Sequence, residues 1–219
     1  DFCLSRGLGD VYKRQLIDKV LRDPRENILI IAPTRELAIQ IQTELKAFTP
    51  NMNIFSVCAV GGAPIYKQIS ELKYKNNFII GTPGRIKDLV EQDKIRLATF
   101  GTIVLDEADR MLDMGFVNDM KFIMSKMREG RHTLFFSATL SPDIEKLISS
   151  FLKDEVRISV KVQDSSKNVD QDIVRVGTKS KIDVLHDLLI KDEFKKVIVF
   201  GKTKHGVETV SYTHLRAHE

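Results

Sequence analysis

The chain has 219 residues, 42% of them hydrophobic, with 34 Lys and Arg against 30 Asp and Glu for a net charge of +4. That length buries one complete core and part of a second, so one domain plus the start of another is expected and a large multidomain protein is excluded. The longest apolar runs are of strand length, well short of the roughly 18 residues of a bilayer-spanning helix, so a soluble cytoplasmic chain is expected, and the slight basic excess fits either a polyanionic partner or ordinary solvated charge.

Residues 1–15, containing Gly7-Leu8-Gly9-Asp10, show little continuity with the periodic pattern of the neighbouring chain. Together with residues 210–219, which contain Tyr212-Thr213-His214-Leu215-Arg216, they resemble translated sequencing-adapter sequence. Both segments are expected to be a non-native leader and tail outside the fold; a genuine flexible tail at each end is the other reading. From Asn27, strand-length apolar runs alternate with segments of helical period. Strands are expected at Ile28–Ala32, Ile54–Val60, Phe78–Ile80, Thr102–Leu105 and His132–Phe136, with helices at Arg35–Phe48, Ile65–Tyr74, Arg85–Glu91, Phe116–Met127 and Pro142–Phe151. Near-continuous Ile, Val, Leu and Phe in the strands implies burial on both faces, and the alternation predicts right-handed βαβ units in a doubly wound parallel α/β sheet. The first domain is expected over residues 16–159. The polar run Gln163–Asn168 marks a linker over 160–171, and a strand, helix and strand at Asp172–Val176, Lys181–Leu189 and Val197–Phe200 open a second α/β domain over 172–209. Of the two cysteines, Cys3 and Cys58, neither has metal-ligand spacing or a disulfide pattern, and Cys58 reads as a small core residue in a strand.

Asp106-Glu107-Ala108-Asp109 follows the apolar run Thr102–Leu105. It puts acidic side chains where a buried parallel strand leaves its sheet, the place where an α/β nucleotide-binding domain holds Mg²⁺ and positions a water. Taken alone, Asp-Glu-x-Asp reads better as a solvated helix start favoured by the helix dipole. Thr34 can cap the helix from Arg35, whose amides and guanidinium then make a phosphate grip, with Glu36 holding Arg35. Thr82-Pro83-Gly84-Arg85 repeats the design, with Thr82 as cap, Pro83 in the first turn and Gly84 allowing close backbone approach. Gly61-Gly62 offers a third point where backbone can approach a sugar-phosphate chain. Such turns bind phosphate and ribose rather than base edges, so recognition is expected to tolerate sequence and to weaken with salt.

Pro33-Thr34-Arg35-Glu36-Leu37-Ala38, Gly61-Gly62, Thr82–Arg85, Asp106–Asp109 and Ser137-Ala138-Thr139, in this order and spacing, resemble the DEAD-box family of ATP-dependent RNA helicases. The resemblance covers Leu16 to about Thr209. It implies a RecA-like sheet, here incomplete, followed by the beginning of a second RecA-like domain, with ATP and Mg²⁺ as cofactors and RNA as partner to a monomer. Asp106 is then the Mg²⁺-side carboxylate, acting through water, and Glu107 the group that orients the attacking water and assists at the metal. Asp109 would be tied to Ser137 and Thr139, which couple the phosphate site to the rest of the domain. Pro33, Thr34, Arg35, Glu36, Gly61, Gly62, Thr82, Pro83, Gly84 and Arg85 would face RNA. In the second domain, Val197–Thr203 resembles a further family motif, with Lys202 and Thr203 as phosphate contacts, although a capped helix start explains them equally well on local grounds.

No G-x-x-x-x-G-K-[ST] loop occurs in the 219 residues, and Gly7-Leu8-Gly9-Asp10 lacks its lysine and hydroxyl. The chain is therefore expected to be a fragment that lacks the phosphate-loop strand, is prone to aggregation through the bared sheet edge, and has no ATPase activity alone. Two rivals stand beside this reading. One is a non-catalytic RNA-binding module on the same fold; the other is a different α/β domain, such as a receiver, which leaves Pro33–Ala38 and Ser137–Thr139 unexplained.

Overall fold

The structure is a computed structural model that describes residues 2–152, 154–159, 170–191, 194, 196–203 and 205–209, with side chains from residue 11 onward. The chain divides into two units, Asp1–Arg157 and Ile158–Glu219. In the first, five short strands, β1 (Ile28–Ile31), β2 (Ser56–Ala59), β3 (Phe78–Gly81), β4 (Thr102–Leu105) and β5 (His132–Phe135), form one parallel sheet in the order β2-β3-β1-β4-β5. The helices are α1 (Phe2–Arg22), α2 (Arg35–Phe48), α3 (Ile65–Leu72), α4 (Pro83–Glu91), α5 (Ala108–Asp113), α6 (Val117–Lys126) and α7 (Pro142–Phe151).

Alternate residues of each central strand feed two separate cores. Ile28, Ile30, Phe78, Ile80 and Val104 meet α1 and α2 on one face, while Leu29, Ile31, Ile79, Ile103 and Leu105 meet α4 to α7 on the other. The sheet is thus doubly wound, as the unbroken apolar runs require. From β1 to β2 the chain moves one way across the sheet, and from β2 onward it moves back. A crossover of fixed hand must then change face at the reversal, which is why α2 lies opposite α4 to α7. Each fully buried Ile or Leu contributes about 1.5–3 kcal/mol relative to exposure, so the three all-buried strands β1, β3 and β4 dominate stability.

Local chemistry sets the helix starts. Thr34 Oγ1 accepts the amide of Leu37 at 3.3 Å, and Ser141 Oγ accepts that of Ile144 at 3.4 Å, with Pro142 next in line. Thr82 occupies the corresponding position before α4 but makes no side-chain cap bond, so the expected cap is positional only.

Four expectations are corrected. Residues 11–15 are not outside the fold: α1 runs without a break through them, and Tyr12 and Lys13 are buried. Tyr12, Leu16, Ile17 and Val20 lie on one helical face, and this repeat crosses the presumed boundary after Gln15. Second, the second strand starts at Ser56 rather than Ile54, and Phe55 is exposed. Third, the expected helices did not include Ala108–Asp113, although the acidic run reads locally as a helix start; a short helix, α5, occupies it, with Asp109 in its first turn. Fourth, among the described residues no strand follows Phe135: Asp172–Val176 and Val197–Phe200 lie outside any sheet, and Ile173, Ile198 and Phe200 are more than four-fifths exposed. Two parallel segments without covering layers cannot bury their apolar faces. The second unit does hold the expected helix, α8 (Lys181–Leu189), capped by Ser180, whose Oγ accepts the Ile182 amide at 3.2 Å. Most of the expected linker, and residues 210–219, lie outside the described residues.

Candidate nucleotide and nucleic-acid site

All five sequence motifs of the first unit leave the sheet at its carboxyl edge. Across that edge they stand in the order Gly61-Gly62 after β2, Thr82–Arg85 after β3, Pro33–Glu36 after β1, Asp106–Asp109 after β4 and Ser137–Thr139 after β5. The three expected phosphate-gripping turns therefore share one half of the edge, and the acidic and hydroxyl motifs share the other.

In the acidic half, Asp106 donates its amide to the Ile31 carbonyl at 3.0 Å, and Ala108 donates to the Phe136 carbonyl at 3.0 Å. With both neighbours pinned, Glu107 takes a left-handed conformation, φ 49° and ψ 52°, a strain of about 1–3 kcal/mol of the kind that collects at functional sites. Asp106 Oδ1 accepts the Glu107 amide at 3.1 Å, and Oδ2 accepts the hydroxyl of Tyr12, also at 3.1 Å. Burial pushes the Asp106 carboxyl above the ordinary aspartate range; the Tyr12 hydroxyl offsets part of this and the neighbouring Glu107 charge adds to it. Glu107 is half-exposed and accepts from Arg110 Nη1 at 3.2 Å. Asp109 Oδ2 accepts both the amide and the hydroxyl of Thr139, at 3.0 and 3.1 Å, and Ser137 Oγ donates to the Thr139 carbonyl at 2.7 Å.

In the other half, the Arg35 guanidinium lies against the α-carbon of Gly62, whose φ is +71°, and so bridges from the β1 turn to the β2 turn. Pro33 is buried; Arg35 and Glu36 are exposed and, among the described residues, form no ion pair with each other, so the expected Glu36 brace is absent. Arg85 is turned inward. Its Nη1 donates to Gln68 Oε1 at 2.8 Å and to the Ala63 carbonyl at 3.3 Å, and its Nε lies 3.7 Å from Asp88. Buried Gln68 in turn donates to the Val60 carbonyl at 3.0 Å. Arg85, expected to face RNA, here fastens the Gly61-Gly62 turn to α3 and α4. Gly84 stands at the exposed-amide start of α4. Lys202 and Thr203 lie in the second unit, exposed, with Thr203 Oγ1 accepting the Gly206 amide at 3.1 Å.

Gln68 and Tyr12 escaped the sequence reading. A glutamine on an amphipathic helix carries no local mark, whereas Tyr12 could have been found from the helical repeat it shares with Leu16 and Val20.

Among the described residues no three His, Cys, Asp or Glu side chains converge on a metal site. Asp106 and Glu107 remain as donors, which fits Mg²⁺, an ion that keeps several waters and takes one or two carboxylates alongside phosphate oxygens. Among the described residues no glycine-rich loop with a lysine stands ready to cradle the β- and γ-phosphates of a nucleotide. No helix among the described residues is long and apolar enough to cross a membrane.

The chain resembles known proteins over most of its length. Residues 11–147 match the DEAD/DEAH box helicase family model. ATP-dependent RNA helicase CshA of Limosilactobacillus reuteri is 37% identical over 190 residues, covering 86% of this chain and 38% of the relative. DEAD-box ATP-dependent RNA helicase CshA of Bacillus anthracis is 39% identical over 199 residues, covering 90% and 38%. A DEAD box protein from the hyperthermophile Methanococcus jannaschii superposes with a TM-score of 0.60 at 34% identity, over 88% of this chain and 51% of that one. A hypothetical ATP-dependent RNA helicase from Sulfolobus tokodaii gives 0.62 at 30% identity, over 68% and 43%. The chain spans little more than a third of the length of the curated relatives it matches. The sheet is RecA-like, and the chain belongs to the DEAD/DEAH box helicase family.

Proposed function

We propose that this chain is part of a cytoplasmic, monomeric ATP-dependent RNA helicase, in which RNA-stimulated ATP hydrolysis drives local duplex unwinding, and that the 219 residues alone do not hydrolyse ATP. The observation that carries the reading is the junction of Asp109 with Thr139 beside the strained Asp106–Glu107 turn, within a chain of this family. Mg²⁺, when bound with a nucleotide, neutralises charge on the phosphates. Asp106, half-buried at the end of β4, holds the cation's water shell, and Glu107, its backbone pinned on both sides, orients a water, a positioning role. Asp109, Ser137 and Thr139 transmit rearrangement of that turn to the segment after β5.

On the other half of the edge, the amides after Thr34 and Thr82, the Gly61-Gly62 turn and the Arg35 guanidinium hold the phosphates and riboses of one RNA strand, with Arg85 positioning the turn from behind. Residues 172–209, with Lys202 and Thr203, are the start of a second RecA-like domain, residues 160–171 the linker to it, and residues 1–15 and 210–219 non-native flanks. The test is to clone the parent gene from source DNA and measure RNA-stimulated ATP hydrolysis. Activity lost in Glu107→Gln is expected. A parent that binds RNA without hydrolysing ATP would favour the RNA-binding-module reading instead.

A further inference from the structure

The Gly61-Gly62 turn is bracketed from behind by one pair of side chains. The ladder between β2 and β3 ends where Ala59 stands opposite Gly81, with the Thr82 amide donating to the Ala59 carbonyl at 3.1 Å. Val60 is the first residue beyond that ladder, and because it is buried its carbonyl needs a donor from elsewhere. Gln68 Nε2, from the middle of α3, supplies it at 3.0 Å. At the far end of the turn the Ala63 carbonyl accepts from Arg85 Nη1 at 3.3 Å, and the same nitrogen donates to Gln68 Oε1 at 2.8 Å. The carbonyls on both sides of the two glycines are thus held by side chains that are bonded to each other. Gln68 is only 5% exposed, whereas a methyl group at position 61 would meet nothing in the chain. The bracket lies inside and the glycine face is open.

We propose that Gln68 is a positioning residue for RNA: by fixing the Gly61-Gly62 turn against the Thr82–Arg85 turn, it sets the spacing of two phosphate grips that it does not itself touch. This rests on the reading of those turns as grips on one RNA strand. The position demands an amide. Its oxygen accepts from the guanidinium while its nitrogen donates to a backbone carbonyl, and the flipped amide would set donor against donor and acceptor against acceptor. A carboxylate keeps the bond to Arg85 but turns a lone pair toward the Val60 carbonyl; a thioether keeps the volume and loses both bonds. A turn released at Val60 must be ordered again by the strand it binds, and that ordering is subtracted from affinity.

The experiment measures affinity for a labelled single-stranded RNA by fluorescence anisotropy. It compares the monodisperse 219-residue chain with Gln68→Glu, Gln68→Met, Gly62→Ala and Gly84→Ala, and with each Gln68 variant combined with each glycine variant, all below their measured unfolding temperatures. Gln68→Glu and Gln68→Met are each expected to lower affinity by about fivefold, the worth of one hydrogen bond. That loss should vanish in the Gly62→Ala background, where the turn is already displaced, and persist in the Gly84→Ala background, where it is not. A loss of equal size in every background marks a general packing defect and overturns the proposal. Parent-like affinity in both Gln68 variants, with the two glycine variants weakened, overturns the positioning role and leaves the RNA path standing. If the parent chain binds no RNA, or neither glycine variant changes its affinity, the RNA path falls and the proposal with it. Gln68→Glu keeps the test open should Gln68→Met fail to fold, because it leaves Arg85 an acceptor and removes only the bond to Val60.

Discussion

Thr139 gives both its amide and its hydroxyl to a single oxygen of Asp109, at 3.0 and 3.1 Å, across 30 residues of sequence. The segment after β5 is thereby fastened to the first turn of the helix that begins on the acidic motif. Ser137 tightens the same turn through the Thr139 carbonyl.

This junction should behave as a coupled pair. Thr139→Val keeps the amide bond and loses the hydroxyl bond, whereas Asp109→Ala loses both. Because the group is solvent-accessible, a double-mutant cycle in urea is expected to give a coupling of about 0.5–1.5 kcal/mol. Additive losses would show that the two segments are held together by other contacts.

Arg35 and Gly62 make a second sharp case. A methyl group at position 62 would collide with the Arg35 guanidinium, and φ of +71° is itself unfavourable for alanine. Gly62→Ala is therefore expected to cost about 1 kcal/mol of stability and to lower affinity for single-stranded RNA. Arg35→Ala should give a comparable loss of affinity, and the double variant little more, as measured by fluorescence anisotropy. Binding unchanged in both single variants would remove this turn from the RNA path.

Cys58 tests burial at the β2 edge. Desolvation raises its thiol to about 11, against an ordinary value of 9.0. In a Cys3→Ser background at pH 8, the thiolate fraction is then about a hundredfold smaller than for a free thiol, and reaction with a disulfide reagent should slow accordingly. The folded state keeps its proton longer than the unfolded chain, so this thiol begins to destabilise the fold as pH rises past 9 and continues to do so up to about 11. A rate at pH 8 equal to that of the unfolded chain would show that β2 opens freely.

The outer edge of β5 is unpaired in this sheet, and its residues are half-buried or, at His132, exposed, unlike the wholly buried β1, β3 and β4. Such an edge templates association between chains. Thr133→Lys should reduce light scattering at tens of micromolar protein by severalfold while leaving the circular dichroism spectrum unchanged. If scattering is unchanged, association proceeds by another route, the exposed apolar residues of the second unit being the next to test.

Much of the first unit was legible because its governing forces are short-range. Apolar runs of strand length placed all five strands, and Thr34, Ser141 and Pro142 marked helix starts through caps that need only neighbouring residues. The same local reading failed beyond residue 170. Ile173 and Phe200 have strand-like surroundings in sequence, yet no sheet receives them, because strand character in a parallel sheet is conferred by neighbours rather than by propensity.

The sequence by itself determined which chemical groups stand at which strand ends: carboxylates after β4, hydroxyls after β5, and glycines and capped turns after β1, β2 and β3. Tertiary structure alone decided who meets whom. The order β2-β3-β1-β4-β5 gathered the phosphate-gripping turns on one side of the edge, turned Arg85 inward onto Gln68 and brought Tyr12 onto Asp106 from 94 residues away. Crossover handedness and burial on two faces set those contacts, and both are properties of the assembled sheet, invisible in any window of the chain.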